Sequence, residues 1–190
     1  MNRAIFFDKD GVINSDKGIS GNFEPVELYP EIAVLMAEFR IRGYRIFVVT
    51  NQPVVARGLM SEAELEEYLG KFEKLILEKN SGAIIDKIYY CPHHPNANIE
   101  KYRVRCECRK PRPGMILKAA EEFALNLNES FMIGDRISDI ISGSLAGCKT
   151  VHFLSGMHME KTIETDLKIE KEISPDYKIT DLNELREIIR

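Results

Sequence analysis

The chain has 190 residues, 44% of them apolar and 29% charged, with a formal net charge of −4. This length favours one domain over residues 1–190, and the acidic balance gives no overall attraction to nucleic acid or to an anionic membrane. No apolar run approaches the roughly 20 residues that span a bilayer.

The chain enters a strand at once, so no signal peptide is expected and the cytoplasm is the expected compartment. Arg3 to Phe7 reads as a short buried strand. Asp8 and Asp10 follow it, then Gly11. In extended backbone, residues two apart face the same way, so both carboxylates are expected to address one spot. Two such charges are costly together unless a cation or a reacting phosphate sits there. Asn14 to Leu28 reads as a loop. Glu31 to Phe39 has helical character after Pro30, with Gly43 as a stop. Tyr44 to Thr50 is the second strand. Ser61 and Glu64 form a capping-box pattern for a helix to about Asn80, with Leu65, Leu69, Phe72 and Ile76 as its apolar stripe. Ile84 to Tyr90 is the third strand, and Pro92 to Arg112 a long loop. A helix over Pro113 to Ala124 leads to strand Phe131 to Ile133. A helix over Ile137 to Ala146 leads to strand Thr150 to Phe153, and Asp181 to Ile189 forms a last helix.

Strands alternating with helices predict an α/β fold, a Rossmann-like three-layer sandwich around a mainly parallel sheet. Ligands in such sheets bind beyond the carboxyl ends of the strands. Asp8, Asp10, Thr50, Asn51, Cys91 and Asp135 are all expected there.

Four cysteines occur, three of them in Cys91-Pro92-His93 and Cys106-Glu107-Cys108. In a reducing compartment this clustering favours metal over disulfides. Three thiolates and one imidazole make a closed tetrahedral Zn2+ site, hence a structural one that pins the long loop. His94 could compete, but the Cys-x-His spacing of His93 mirrors Cys106-x-Cys108. Cys148 stands apart as a small core residue.

Asp8-x-Asp10-Gly11, Thr50-Asn51, Lys110 and Gly134-Asp135-x-x-x-Asp139 occur in that order. This set resembles the haloacid dehalogenase superfamily of phosphohydrolases over nearly the whole chain. Taken singly, these residues also fit turns, strand ends and helix caps. The resemblance implies that Asp8 attacks phosphorus to form an aspartyl-phosphate. Asp10 would protonate the leaving oxygen and then activate water. It implies that Asp8, the Asp10 carbonyl and Asp135 hold Mg2+, an oxygen-only set that suits this ion. Thr50 would bond phosphoryl oxygens, Lys110 would offset their charge, and Asp139 would support Lys110 or a bound water.

Cys-Pro-His-His-Pro over 91–95 and the run Cys106 to Met115 narrow the resemblance. They look like the small, capless phosphatases of the heptose bisphosphate and histidinol-phosphate group. The heptose side of that group implies removal of the C7 phosphate of D-glycero-D-manno-heptose 1,7-bisphosphate, on the route to bacterial surface glycans. Lys101 to Arg112 carries six basic residues, a local positive patch suited to a second phosphate. Arg109 is the expected holder of that phosphate, because its planar fork matches phosphate oxygens. Asn51 and Arg57 complete the expected substrate contacts. After Gln52 the family's usual Ser-Gly is replaced by Pro53-Val54, which predicts a stiffer loop with Arg57 and Gly58 kept. The resulting expectation is a monomeric sugar bisphosphate phosphatase. A histidinol-phosphate phosphatase and a zinc-stabilised nucleic-acid module are the alternatives.

Overall fold

A computed structural model describes residues 2–15, 26–155 and 174–190. Most of the loop expected over Asn14 to Leu28, and the polar stretch 156–173, lie outside the described residues. Six strands form one sheet in the order β3-β2-β1-β4-β5-β6. They are β1 Arg3–Phe7, β2 Tyr44–Asn51, β3 Lys87–Cys91, β4 Phe131–Gly134, β5 Lys149–Phe153 and β6 Tyr177–Ile179. Every pairing between neighbours is parallel. The central strand β1 has β2 on one side and β4 on the other, so the chain reverses its winding there. That switch point is where open parallel sheets leave a crevice.

Both faces of the sheet are covered, because alternate residues of each strand point to opposite sides. Ile5, Phe7, Ile46 and Val48 pack on α1 (Ile32–Ile41), α2 (Glu62–Lys79) and α5 (Leu185–Ile188). Ala4, Phe6, Phe47 and Val49 pack on α3 (Gly114–Phe123) and the end of α4 (Ile137–Ala146). Phe47 sits at the centre of the second layer, stacked on Phe6 at 5.3 Å and edge-on to Phe123 at 4.9 Å.

The helix boundaries follow local chemistry. Glu64 N donates to Ser61 Oγ and Glu64 Oε2 accepts from Ser61 N, so the capping box opens α2. Leu65, Leu69, Phe72 and Ile76 are its buried stripe. Gly43 and Gly147, at φ of +87° and +89°, end α1 and α4 in a conformation that suits glycine.

Two expected elements differ and one strand is additional. The third strand starts at Lys87 instead of Ile84, because Asp86 pulls the preceding turn aside. Its carboxylate accepts from Ile46 N at 2.8 Å and pairs with Arg40 and Arg45. The last helix shrinks to α5 preceded by a 3-10 turn over Leu182–Glu184, which Asp181 caps through Asn183 N at 2.8 Å. The short strand β6 was not expected. Among the described residues, no helix is long and apolar enough to cross a membrane.

Candidate active site

The polar groups converge at the carboxyl ends of β1, β2 and β4. Asp8 follows β1 directly, its amide bonded to Ile133 O of β4 at 2.9 Å. Asp135 follows β4, and Asp139 lies in the first turn of α4. Carboxylate oxygens of Asp8, Asp135 and Asp139, all three buried, lie within 4.8 Å of one another. Lys110, also buried, enters this cluster from the long loop. Its Nζ lies 2.6 Å from Asp8 Oδ1, 2.6 Å from Asp139 Oδ1 and 2.8 Å from Val49 O. Asn51 holds the lysine backbone on both sides, Nδ2 donating to Lys110 O and Oδ1 accepting from Lys110 N, each at 3.0 Å.

Glycine makes the close approach possible. A Cβ on Gly11, which has φ +91°, would lie 2.1 Å from Asp135 Oδ2. A Cβ on Gly134 would lie 2.1 Å from the Cβ of Asp139. His152 Nε2 stands 3.1 Å from the carbonyl of Asp135, and a carbonyl only accepts, so this nitrogen carries the proton. Asp139 Oδ2 also accepts from Arg136 N at 3.1 Å, so this residue caps α4 while supporting Lys110. Of its two expected uses, the structure places the lysine contact.

Three buried acids against one lysine leave an excess of negative charge. Burial pushes the Asp8 carboxyl up to about 7, Lys110 opposes the rise, and Asp139 adds to it. Burial likewise raises Asp135 to about 8, with Asp8 and Asp139 adding to it. For Lys110, burial favours the neutral form but Asp139 and Asp8 outweigh it, so the ammonium is strengthened. This oxygen-rich, anionic, buried donor set fits a hard divalent cation.

Asp10 is held by its own set of donors beside the trio. Extended backbone ends at Asp8, and Lys9 O accepts from both Ile13 N and Asn14 N in the turn that follows. The Asp10 carboxylate lies outside the acidic trio but near enough to Asp8 to help raise that carboxyl. Its Oδ1 takes Lys9 Nζ at 2.6 Å and Asn14 Nδ2 at 3.0 Å, and its Oδ2 takes Gln52 Nε2 at 3.0 Å. Burial alone would raise this carboxyl, yet Lys9 and the other donors hold it below the ordinary aspartate value. Lys9 is buried above the rings of Tyr68 and Phe72, at 5.1 and 5.0 Å. Thr50, buried at the end of β2, accepts from Gln52 Nε2 at 3.0 Å. Lys9, Gln52 and His152 escaped the sequence reading. The cue for Gln52 was a polar residue two places after Thr50, hence on the same face.

The long loop carries the second cluster. Cys91, His93, Cys106 and Cys108 present ligand atoms within 4.8 Å of one another. Cys108 Sγ lies 3.1 Å from the sulfurs of Cys91 and Cys106 and 3.5 Å from His93 Nδ1. His94 Nδ1 instead accepts from Asn96 N at 3.1 Å, so His93 completes the set. Hydrogen bonds from Cys91 and Cys106 lower the Cys108 thiol to about 5, despite burial, whereas Cys91 is raised. Four such donors in one place suit a metal ion.

The basic stretch over 101–112 is divided. Lys110 goes into the acidic cluster, and Arg103 binds the carbonyl of Ala97 through Nε and Nη2 at 3.0 and 2.8 Å. Arg112 pairs with Glu107 at 2.9 Å. Arg109 is half-buried, and its Nη1 donates to His93 O at 2.9 Å. Burial and then the nearby Arg136 count against its charge, while the three thiols favour it. Arg57 is exposed at the end of a tight loop. Arg57 N, Gly58 N and Leu59 N bond Pro53 O, Val55 O and Val54 O, each at 3.0 Å. Val54, Val55 and Ala56 are buried with Leu65, Leu69 and Tyr102, and Asn98 ties the loop through Ala56 O and Arg57 O. An apolar anchor thus holds the loop that Pro53 and Val54 open.

The likenesses to known proteins agree with this geometry. A family model described as HAD-hydrolase-like matches residues 107–185. D-glycero-beta-D-manno-heptose-1,7-bisphosphate 7-phosphatase of Photorhabdus laumondii is 38% identical over 143 residues, 75% of each chain. The same enzyme of Rhodopseudomonas palustris is 38% identical over 152 residues, 79% of this chain and 82% of its own. Among solved structures, a HAD-like phosphatase from Mesorhizobium loti is 26% identical with a TM-score of 0.80, covering 99% of this chain and 84% of that one. The D,D-heptose 1,7-bisphosphate phosphatase of B. bronchiseptica, complexed with magnesium and phosphate, is 28% identical with a TM-score of 0.69 over 80% of each chain. Sequence relatives, fold and strand-end acids agree, and the chain belongs to the haloacid dehalogenase superfamily, among its phosphatases.

Proposed function

We propose that this protein is a Mg2+-dependent phosphatase that removes the C7 phosphate of D-glycero-D-manno-heptose 1,7-bisphosphate. The observation that carries the reading is the buried trio Asp8, Asp135 and Asp139 around Lys110 at the switch point of the sheet. The heptose enzymes that are 38% identical to this chain over 143 and 152 residues supply the substrate.

An Asp8 oxygen attacks phosphorus in line with the bond to the sugar. That bond breaks, the leaving oxygen takes its proton from Asp10, and the phosphoryl group rests on Asp8 as an acyl phosphate. Water then attacks phosphorus and gives its proton to Asp10, and the bond to Asp8 breaks to release phosphate. Thr50 donates its hydroxyl to a phosphoryl oxygen, and Lys110 offsets charge on Asp8 and the phosphoryl group. Asp8, Asp135 and the carbonyl of Asp10 are the residues to hold Mg2+, which when bound neutralises phosphoryl charge. Asn51 positions Lys110. Arg109, with Arg136 beside it, and Arg57 receive the sugar's second phosphate.

The cysteine-histidine cluster is a structural Zn2+ site in a capless, single-domain monomer, and its free thiols suit the cytoplasm. The test is phosphate release from both anomers of the heptose bisphosphate, fructose 1,6-bisphosphate and histidinol phosphate, with Mg2+. A heptose bisphosphate should give the highest kcat/KM, and Asp8→Asn should lower it at least ~10³-fold. Preference for histidinol phosphate would move the assignment to that activity. No release from any substrate would remove the enzyme reading.

A further inference from the structure

Asp10 and Thr50 act at different atoms of the substrate, yet one side chain touches both. Gln52 Nε2 lies 3.0 Å from Asp10 Oδ2 and 3.0 Å from Thr50 Oγ1. A carboxylate only accepts, so the amino end of the amide must face Asp10, and its two hydrogens serve the two oxygens. A hydroxyl that accepts from Gln52 keeps its own hydrogen for another acceptor. The remaining Asp10 oxygen is taken by Lys9 and Asn14. The position of Gln52 is itself fixed, since its backbone N donates to the carbonyl of Cys91 at 2.8 Å. Cys91 ends β3 and belongs to the sulfur cluster, so this bond joins that cluster to the residue that touches the acid/base.

We infer that Gln52 is a positioning residue for phosphoryl transfer: it directs the Thr50 hydroxyl hydrogen toward the phosphoryl group and holds the Asp10 carboxyl for the leaving oxygen. The inference rests on the roles proposed above for Asp8, Asp10 and Thr50. Gln52 itself exchanges no proton with substrate. Its effect passes through two oxygens that need fixed directions, and such effects depend on sub-ångström placement.

The two arms separate by leaving group. A sugar alkoxide needs a proton to depart, whereas 4-nitrophenolate leaves without one. Gln52→Leu removes both donors, and its activity is measured on the heptose bisphosphate and on 4-nitrophenyl phosphate with one preparation. The ratio of the two rates cancels any loss of folded protein. General acid catalysis contributes about 10²-fold and a directed Thr50 hydrogen bond about tenfold, so kcat on the sugar phosphate should fall by about 10³-fold while KM stays within about threefold. The aryl phosphate loses only the Thr50 contribution, about tenfold. Gln52→Met, which keeps the side-chain length, should give the same ratio. Equal losses on both substrates, or no loss on either, overturn the inference. Failure of the underlying reading looks different: wild type and Asp8→Asn would then be equally inert.

Discussion

Replacing Lys110 by methionine isolates the charge at the centre of the site. Methionine is unbranched and of similar length, so the change leaves little cavity. It removes an ammonium with oxygen partners at 2.6, 2.6 and 2.8 Å and leaves Asp8, Asp135 and Asp139 buried without it. Breaking one side of a buried ion pair costs about 3–5 kcal/mol. For a chain of this size that is a fall in Tm on the order of 10 °C. The cost depends on pH with a definite sign. Asp8 and Asp135 sit above their ordinary value of 3.8, at about 7 and about 8, so the folded state binds more protons than the unfolded state between those limits. Stability from these groups is full below the unfolded value and is lost as pH rises through the folded values. Lys110 restrains that loss, because it lowers both carboxyls. Thermal melts of wild type and Lys110→Met in magnesium-free buffer should therefore differ by about 10 °C at pH 8 and by only a few degrees at pH 5. Adding Mg2+ should narrow the gap at pH 8. A fall in Tm of the same size at both pH values would refute the electrostatic account and leave packing as the cause.

The metal loop should respond separately from the acids. Cys108→Ser is expected to abolish bound zinc, measured by elemental analysis, and to speed amide exchange across 92–112 while leaving β1 and β4 protected. Arg109→Ala should raise KM for the heptose bisphosphate about 10–100-fold, as for the loss of a charged hydrogen bond, and leave KM for a monophosphate nearly unchanged. Equal effects on both would deny Arg109 the second phosphate and leave it the His93 carbonyl alone.

Strongly periodic elements were legible in the chain, and so were residues whose chemistry has few other uses. The Leu65–Leu69–Phe72–Ile76 stripe and the Ser61–Glu64 box mark α2 because helix period and cap chemistry agree. The cysteines and His93 found one another because sulfur and imidazole at close spacing have few other reasons to cluster. The strand β6 was hidden because it is three residues long with two of them exposed, so no alternation could be read. The partners of Asp10 were hidden for a related reason: a turn from Lys9 to Asn14 brings them together, and no strand period announces it. Gln52 and Lys9 acquire their meaning only from partners in space, Tyr68 and Phe72 on α2 and Thr50 on β2, which no local pattern announces.

The end of β2 sorts its chemistry by parity. Thr50 and Gln52 face one way, where Gln52 joins Thr50 to Asp10, while Asn51 faces the other and grips the backbone of Lys110. A single-residue insertion or deletion in β2 would exchange the two faces. It would sever the contacts to Asp10 and those to Lys110 together, with neither set surviving alone. The loops around this site can change length through evolution or by engineering, but the register of these three residues against β3 cannot drift by one.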